Sequence, residues 1–233
     1  GGIGKTTLAQ MVFYDTRFKC YSRAWVYVSQ AFDLNKIWNS IISQISEGSS
    51  QNSNGTELIN GSLDGRKILI VLDDLWEDDP FKLKELKNML NVGKKGGNVN
   101  VVVTTRTEDI AKKICTDEPY MLRPLEHGMC WTIIKHNSAF EARADKEQLE
   151  QIGMDIAKKC EGVALAAQAL GYMLQFRNTD EWLAVSKSEV WNEHPSEDTS
   201  LPHNVVLPSL KLSYYSMLPY LRLCFAYCAL FPE

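Results

Sequence analysis

At 233 residues, with 45% hydrophobic and 23% charged residues, the chain has ordinary globular composition and enough length for one large or two small domains. A net charge of −4 with scattered basic residues leaves no electrostatic footprint for nucleic acid, and the apolar runs fall well short of the ~18 residues of a membrane span. No secretory leader is expected. The six cysteines read as buried free thiols of a reducing cytosol, because Cys224 and Cys228 alone are close enough to begin a zinc site and no second pair completes it.

The first element is a phosphate-binding loop. "GGIGKTTLAQ" supplies Gly1, Gly2, Gly4, Lys5, Thr6 and Thr7 of the pattern G-x-x-x-x-G-K-[ST], whose first Gly would fall two positions before Gly1. Glycines let the backbone turn its N–H groups toward phosphate oxygens, the Lys ammonium reaches the β- and γ-phosphates, and the Thr hydroxyl ligates Mg²⁺. The following "LAQMVFYDTRF" reads as an amphipathic helix with Leu8, Val12 and Phe13 toward a core.

"KILIVLDDLW" places the aliphatic run Ile68 to Leu72 before paired aspartates, the signature of a strand buried on both faces of a parallel sheet. At its carboxyl end Asp73 can hold Mg²⁺ and Asp74 can orient or deprotonate a water. The order phosphate loop, aliphatic strand, Asp-Asp points to an ATP site. "NVNVVVTTR" is a further buried strand ending in Arg106, which can report a γ-phosphate. The alternative is a surface or helix-capping Arg, with Thr105 or Thr107 capping the helix "EDIAKKIC".

Between these motifs, residues 46–65 read as a loop with one short helix near Thr56–Ile59. Alternation of strands and helices up to about Leu122 implies a parallel sheet with helices on both faces. After Pro124 the strands stop, and four segments within residues 128–191 carry apolar residues at helical spacing. The second of these is the clearest, with Leu149, Ile152, Ile156 and Ala157 along one side. Polar residues 192–202 mark a boundary. Two helices broken at Pro219 follow, and their stripe (Leu218, Leu221, Cys224, Phe225, Cys228) needs a partner surface. The expected domains are therefore 1–124, 125–195 and 196–233.

Together these stretches resemble the NB-ARC nucleotide-binding domain of plant disease-resistance proteins, the nucleotide-binding leucine-rich-repeat immune receptors. Besides the three motifs above, "RAWVYVSQAFD", "LRPLEHGMCWTIIKHNSAF", "CEGVALAAQALG", "LPSLKLSYYSMLP" and "CFAYCALFPE" resemble family blocks in the family's order. Trp76 after the Asp-Asp pair resembles the coiled-coil subclass. The resemblance implies an α/β P-loop NTPase fold whose first strand precedes Gly1, a helical subdomain, and the start of a winged helix. The chain thus looks like a fragment cut within the phosphate loop and the winged helix. An absent strand with four or five buried aliphatics, at about 1.5–3 kcal/mol each, leads us to expect poor folding or weak nucleotide binding by these residues alone.

Residue by residue, the resemblance implies phosphate contacts from Gly2, Gly4 and Lys5, Mg²⁺ ligation by Thr6 and Asp73, hydrolysis through Asp74, and γ-phosphate sensing by Arg106. It implies ADP in the resting state and ATP in the active one. The family's nucleotide-packing Pro is Ala164 here, so the helix from Val163 is free to start earlier and an apolar wall is reduced. The family's Met-His-Asp motif has no counterpart, since His127, His136, His194 and His203 sit in unrelated polar contexts expected at the surface. The implied function is a slowly hydrolysing ATP/ADP switch in the cytoplasm. Its implied partners are the parent's coiled-coil and leucine-rich-repeat regions and a pathogen effector or guarded host protein. An ATPase working by turnover and a nucleotide-independent scaffold are the alternatives.

Overall fold

The computed structural model describes residues 1–28, 32–46, 67–91, 98–192 and 206–231. The short helix expected near residues 56–59, most of the polar boundary at 192–202, and His194 and His203 lie outside them. The chain divides into two compact units: Lys5–Met121, and Gly1–Gly4 together with Leu122–Glu233.

The Lys5–Met121 unit is built on a parallel sheet in the order β1 (Ser22–Tyr27), β2 (Lys67–Leu75), β3 (Asn98–Thr105). Helices α1 (Lys5–Phe13), α2 (Leu34–Ser46), α3 (Pro80–Asn91) and α4 (Glu108–Ile114) lie around it. Alternation along β2 sends Ile68, Ile70 and Leu72 into one core with Ala24 and Val26 of β1, Ile37 and Ile41 of α2, Leu83 and Leu86 of α3, and Ile110 of α4. Leu69 and Val71, equally buried, alternate to the opposite face. Both faces of β2 are thus covered, as its unbroken aliphatic run requires. The Gln44 side chain of α2 donates to the Trp25 carbonyl and accepts from the Trp25 N–H, both at 2.9 Å, satisfying the β1 backbone there.

Two expectations for α1 are corrected. The helix stops at Phe13, whose carbonyl accepts from Arg23 Nη1 at 2.8 Å while the Arg23 guanidinium lies over the Phe13 ring. Asp15 then starts a separate short turn, Thr16–Phe18, by accepting from the Arg17 N–H. The residue that α1 buries is Ala9, where the helix comes close to β2 and β3; Leu8 is 39% exposed, and Val12 and Phe13 are partly buried. A small side chain, not a large one, makes this contact.

In the other unit, α5 (His127–Asn137), α6 (Lys146–Lys159), α7 (Ala164–Leu174) and α8 (Thr179–Ser186) correspond to the four expected helices. Trp131, Phe140 and Trp182 meet in its core, with edge-on rings at 5.0 and 6.5 Å, above Leu149, Ile156, Leu170 and Leu174. Trp131 fits because Gly153 has no side chain: a Cβ there would lie 2.2 Å from the indole. The buried Trp182 Nε1 donates to the Leu174 carbonyl at 3.1 Å. Asn178 and Glu181 form a reciprocal cap on α8.

Helix α7 begins at Ala164, not earlier. Glu161 and Gly162 have positive φ, and extended Val163 is the cap. Pro124 and Leu125 crowd Gly162, whose carbonyl accepts the Leu125 N–H at 2.9 Å, so the turn is pinned without proline. Helices α9 (Val206–Tyr215) and α10 (Pro219–Cys228) follow, with Pro219 at the first helical position of α10. Leu218, Leu221 and Phe225 of the expected stripe are exposed. The cysteine expectation is also corrected: Cys130 and Cys160 are buried, but Cys20, Cys224 and Cys228 are exposed, because they sit on surface turns or on the open face of α10. Burial pushes the Cys160 thiol up to about 12.

Candidate functional site

The candidate site lies at the carboxyl end of β2. Leu72 pairs with Val103 and Leu75 with Thr105, so two residues of β2, Asp73 and Asp74, stand opposite the single residue Thr104. This is a bulge, and it places Asp74 in the left-handed region at φ 60°. Thr104 makes the distortion tenable. Its hydroxyl accepts the Asp74 N–H at 2.9 Å and donates to Asp73 Oδ1 at 2.6 Å. Thr105 adds a bond from its hydroxyl to the Leu75 carbonyl at 2.8 Å.

The Thr6 hydroxyl, on the first turn of α1, also donates to Asp73 Oδ1, at 3.1 Å across 67 residues of sequence. Asp73 is 4% exposed, yet among the described residues every buried side-chain polar atom has a partner. The donor set fits a small hard cation. Adjacent ligands of an octahedral Mg²⁺, each about 2.1 Å from the ion, stand about 3.0 Å apart, close to the Thr6–Asp73 separation. The described residues hold no cluster of three or more His, Cys, Asp or Glu that could cage a metal by themselves. Two protein oxygens with phosphate completing the shell is the usual Mg²⁺ arrangement at nucleotide sites.

Asp74 points to a different partner. Arg106, directly after β3, grips it with Nε on Oδ1 and Nη2 on Oδ2, both at 3.2 Å, a two-pronged fork. The Arg106 guanidinium also lies 4.5 Å from the centre of the Trp76 ring. The Tyr27 hydroxyl donates to Asp74 Oδ2 at 3.4 Å. Burial raises the Asp74 carboxyl. Hydrogen bonding from Trp76 and Arg106, with the charges of Arg106 and Lys5, more than offsets this and holds it below the usual carboxylate range. Thr107 occupies the cap position of α4 without a side-chain cap bond, Thr105 accepts the Thr107 N–H at 3.3 Å, and Arg106 itself is exposed, as the surface alternative expects.

Lys5 opens α1 and is partly buried; Thr7, one residue beyond Thr6, is exposed. In the other unit, Gly2 (φ 75°) and Gly4 (φ 108°) are left-handed, the conformation that lets successive N–H groups face an anion. Gly4 has open space around it, so its requirement is conformational. Gly2 is confined as well: its carbonyl accepts the Leu165 N–H at 3.0 Å, and a Cβ would lie 2.9 Å from that of Leu165. The start of α7 at Ala164 is therefore capped by the glycine segment. His127 and His136 are exposed, as expected.

The structure thus brings together Thr6 with Asp73, Asp74 with Arg106, and Gly2 with the residue after Ala164. Sequence reasoning missed Thr104, Trp76 and Tyr27 as parts of the site. The neighbouring Thr-Thr before Arg106 was the only signal for Thr104, and the bulge that gives it two partners leaves no mark in composition.

Comparison with known proteins identifies the family. Residues 1–145 match the NB-ARC domain, a span that includes Lys5, Thr6, Asp73, Asp74 and Arg106. The whole chain is 36% identical to the putative disease resistance protein RGA1 and 37% identical to the putative disease resistance protein RGA4, both of Solanum bulbocastanum. It is 31% identical to a putative disease resistance RPP13-like protein 1 of Arabidopsis thaliana. It spans 24%, 23% and 22% of the length of these relatives, respectively. With a parallel sheet, a domain match over more than half its length, and relatives more than 30% identical over the whole chain, the chain belongs to the NB-ARC domain family.

Proposed function

We propose that this chain is the ATP/ADP-binding switch of a plant intracellular immune receptor of the coiled-coil subclass, resting with ADP and active with ATP. The observation that carries the reading is the Thr6–Asp73–Thr104 cluster at the carboxyl end of β2, directly after left-handed glycines. Such an end of a parallel strand is where α/β folds bind ligands.

In this reading the N–H groups around Gly1, Gly2 and Gly4 and the Lys5 ammonium hold the phosphates, with Thr7 at the same helix start. Thr6 and Asp73 hold Mg²⁺, which when bound neutralises phosphate charge. Thr104 keeps Asp73 aimed by donating to it. Ala164 stands where the family places a nucleotide-packing Pro. Asp74 is the residue for hydrolysis, and its commitment to Arg106 by both oxygens favours slow hydrolysis over turnover. Arg106 senses a γ-phosphate. Domains at 1–124, 125–195 and 196–233 remain the proposed organisation. Coiled-coil and leucine-rich-repeat regions, an effector or guarded host protein, and a cytoplasmic site of action are proposed from the family. No described helix is long and apolar enough to cross a membrane.

The test is to purify the full-length protein without added nucleotide, denature it, and separate what is released by ion exchange. Near-stoichiometric ADP is expected from wild type, with none from Lys5→Ala. Empty wild-type protein, or rapid phosphate release on adding ATP, would overturn the switch reading.

A further inference from the structure

Arg106 contacts Asp74 and Trp76 directly, and Tyr27 reaches it only through Asp74. Asp74 supplies charge and a planar two-pronged acceptor, Tyr27 donates to Asp74, and Trp76 offers a ring face to the guanidinium and a hydrogen bond to Asp74. The bulge explains how Trp76 comes to be there. By setting Asp73 and Asp74 against the single Thr104, it shifts the register, and Leu75 pairs with Thr105, the residue before Arg106. Trp76 and Arg106 then leave their strands side by side. The ring is partly open to solvent, so it is not an ordinary core tryptophan whose absence would collapse the unit.

We propose that Trp76 is a positioning residue that, with Asp74, holds Arg106 in a parked arrangement, so that the γ-phosphate of a nucleoside triphosphate must compete with this pair for the guanidinium. This assignment rests on the nucleotide-switch reading and adds to it a determinant of the choice between di- and triphosphate. A diphosphate has no γ-phosphate and leaves the parked pair alone. A triphosphate gains Arg106 only by releasing it, so whatever strengthens the parked arrangement lowers affinity for the triphosphate alone. Differential affinity of this kind is what shifts a two-state population.

The magnitude follows from the chemistry of the contact. A guanidinium over an aromatic ring at a half-open site contributes a few-fold in an equilibrium, and a benzene ring holds it less well than an indole. Equilibrium binding of ATP and of ADP to the full-length protein provides the test. Trp76→Leu is expected to raise the ratio of ATP to ADP affinity about two- to five-fold, with ADP affinity unchanged, and Trp76→Phe to shift it the same way by less. In an Arg106→Gln background the Trp76→Leu shift should vanish, which a merely structural effect would not do. An unchanged ratio in both Trp76 variants, a shift toward ADP, an equal loss for both nucleotides, or a shift that survives Arg106→Gln would each overturn the proposal. Should leucine not be tolerated, the phenylalanine variant carries the same reading alone. Failure of wild type to bind either nucleotide, with Lys5→Ala no different, is a separate result: it removes the switch reading, and this assignment with it.

Discussion

The two units of this chain solve the problem of tight packing in opposite ways. In Lys5–Met121 the demanding region is polar: a bulge at the end of β2 is held by the Thr104 hydroxyl, which joins the Asp73 carboxylate to the Asp74 N–H. In the helical unit it is apolar, with Trp131 seated over Gly153 and Trp182 against both Trp131 and Phe140. The first arrangement is specified by a few directional bonds, the second by shape and volume. Loss of one group should therefore misaim the first and loosen the second.

Five substitutions sharpen or break that contrast. Trp182→Ala removes the central fully buried aromatic of the helical unit and is expected to cost about 3–5 kcal/mol of stability, measured by denaturant unfolding. A cost below about 1 kcal/mol would mean the aromatic core is not the volume-governed region described. Thr104→Val keeps the shape but deprives a buried carboxylate and an N–H of their partner, for an expected loss of about 1–3 kcal/mol. Thr104→Ser should restore most of it; if valine and serine behave alike, the hydroxyl is not what holds the bulge. Gly2→Ala meets both a left-handed backbone and the Leu165 side chain, and should cost about 1–2 kcal/mol in backbone strain alone. Gly4→Ala, with open space but the same handedness, isolates the strain component.

The smallest effect concerns pH. Asp145 accepts from Arg143 at 2.8 and 2.9 Å and from Thr179 at 3.1 Å, and hydrogen bonding from Arg143, more than burial opposes, lowers its carboxyl below the ordinary value. A carboxyl whose folded value is depressed contributes stability above its unfolded value of about 3.9 and loses it as the pH falls through the folded value. The stability gap between wild type and Asp145→Asn should therefore be present at neutral pH and close in acid. A gap that persists unchanged in acid would show that the contact acts without the charge.

Much of the architecture was legible because it follows from short-range rules. Ile68 to Leu72 cannot be half exposed at that density of aliphatics, and Leu149, Ile152, Ile156 and Ala157 repeat at helical spacing. Asp73 and Asp74 were found as a pair because they end a run that must be buried. Their separation into two environments was not legible, since it depends on the register between β2 and β3. Nor was the burial of Ala9 in place of Leu8, because apolar periodicity ranks large side chains first, whereas close approach of a helix to a sheet selects a small one. The start of α7 was misjudged for a related reason. The missing Pro drew notice, while Gly162, crowded by Pro124 and Leu125, does the work of ending the preceding segment.

Gln44 has a consequence outside the site. β1 is the outermost of the described strands on its side of the sheet, and strands in that position invite other extended chains to add on. By occupying both the N–H and the carbonyl of Trp25, the amide of α2 acts as a chain terminator, a one-residue counterfeit of the next strand. A passing peptide would find that rung already taken, so the helix that fills the core also guards the sheet against templated growth.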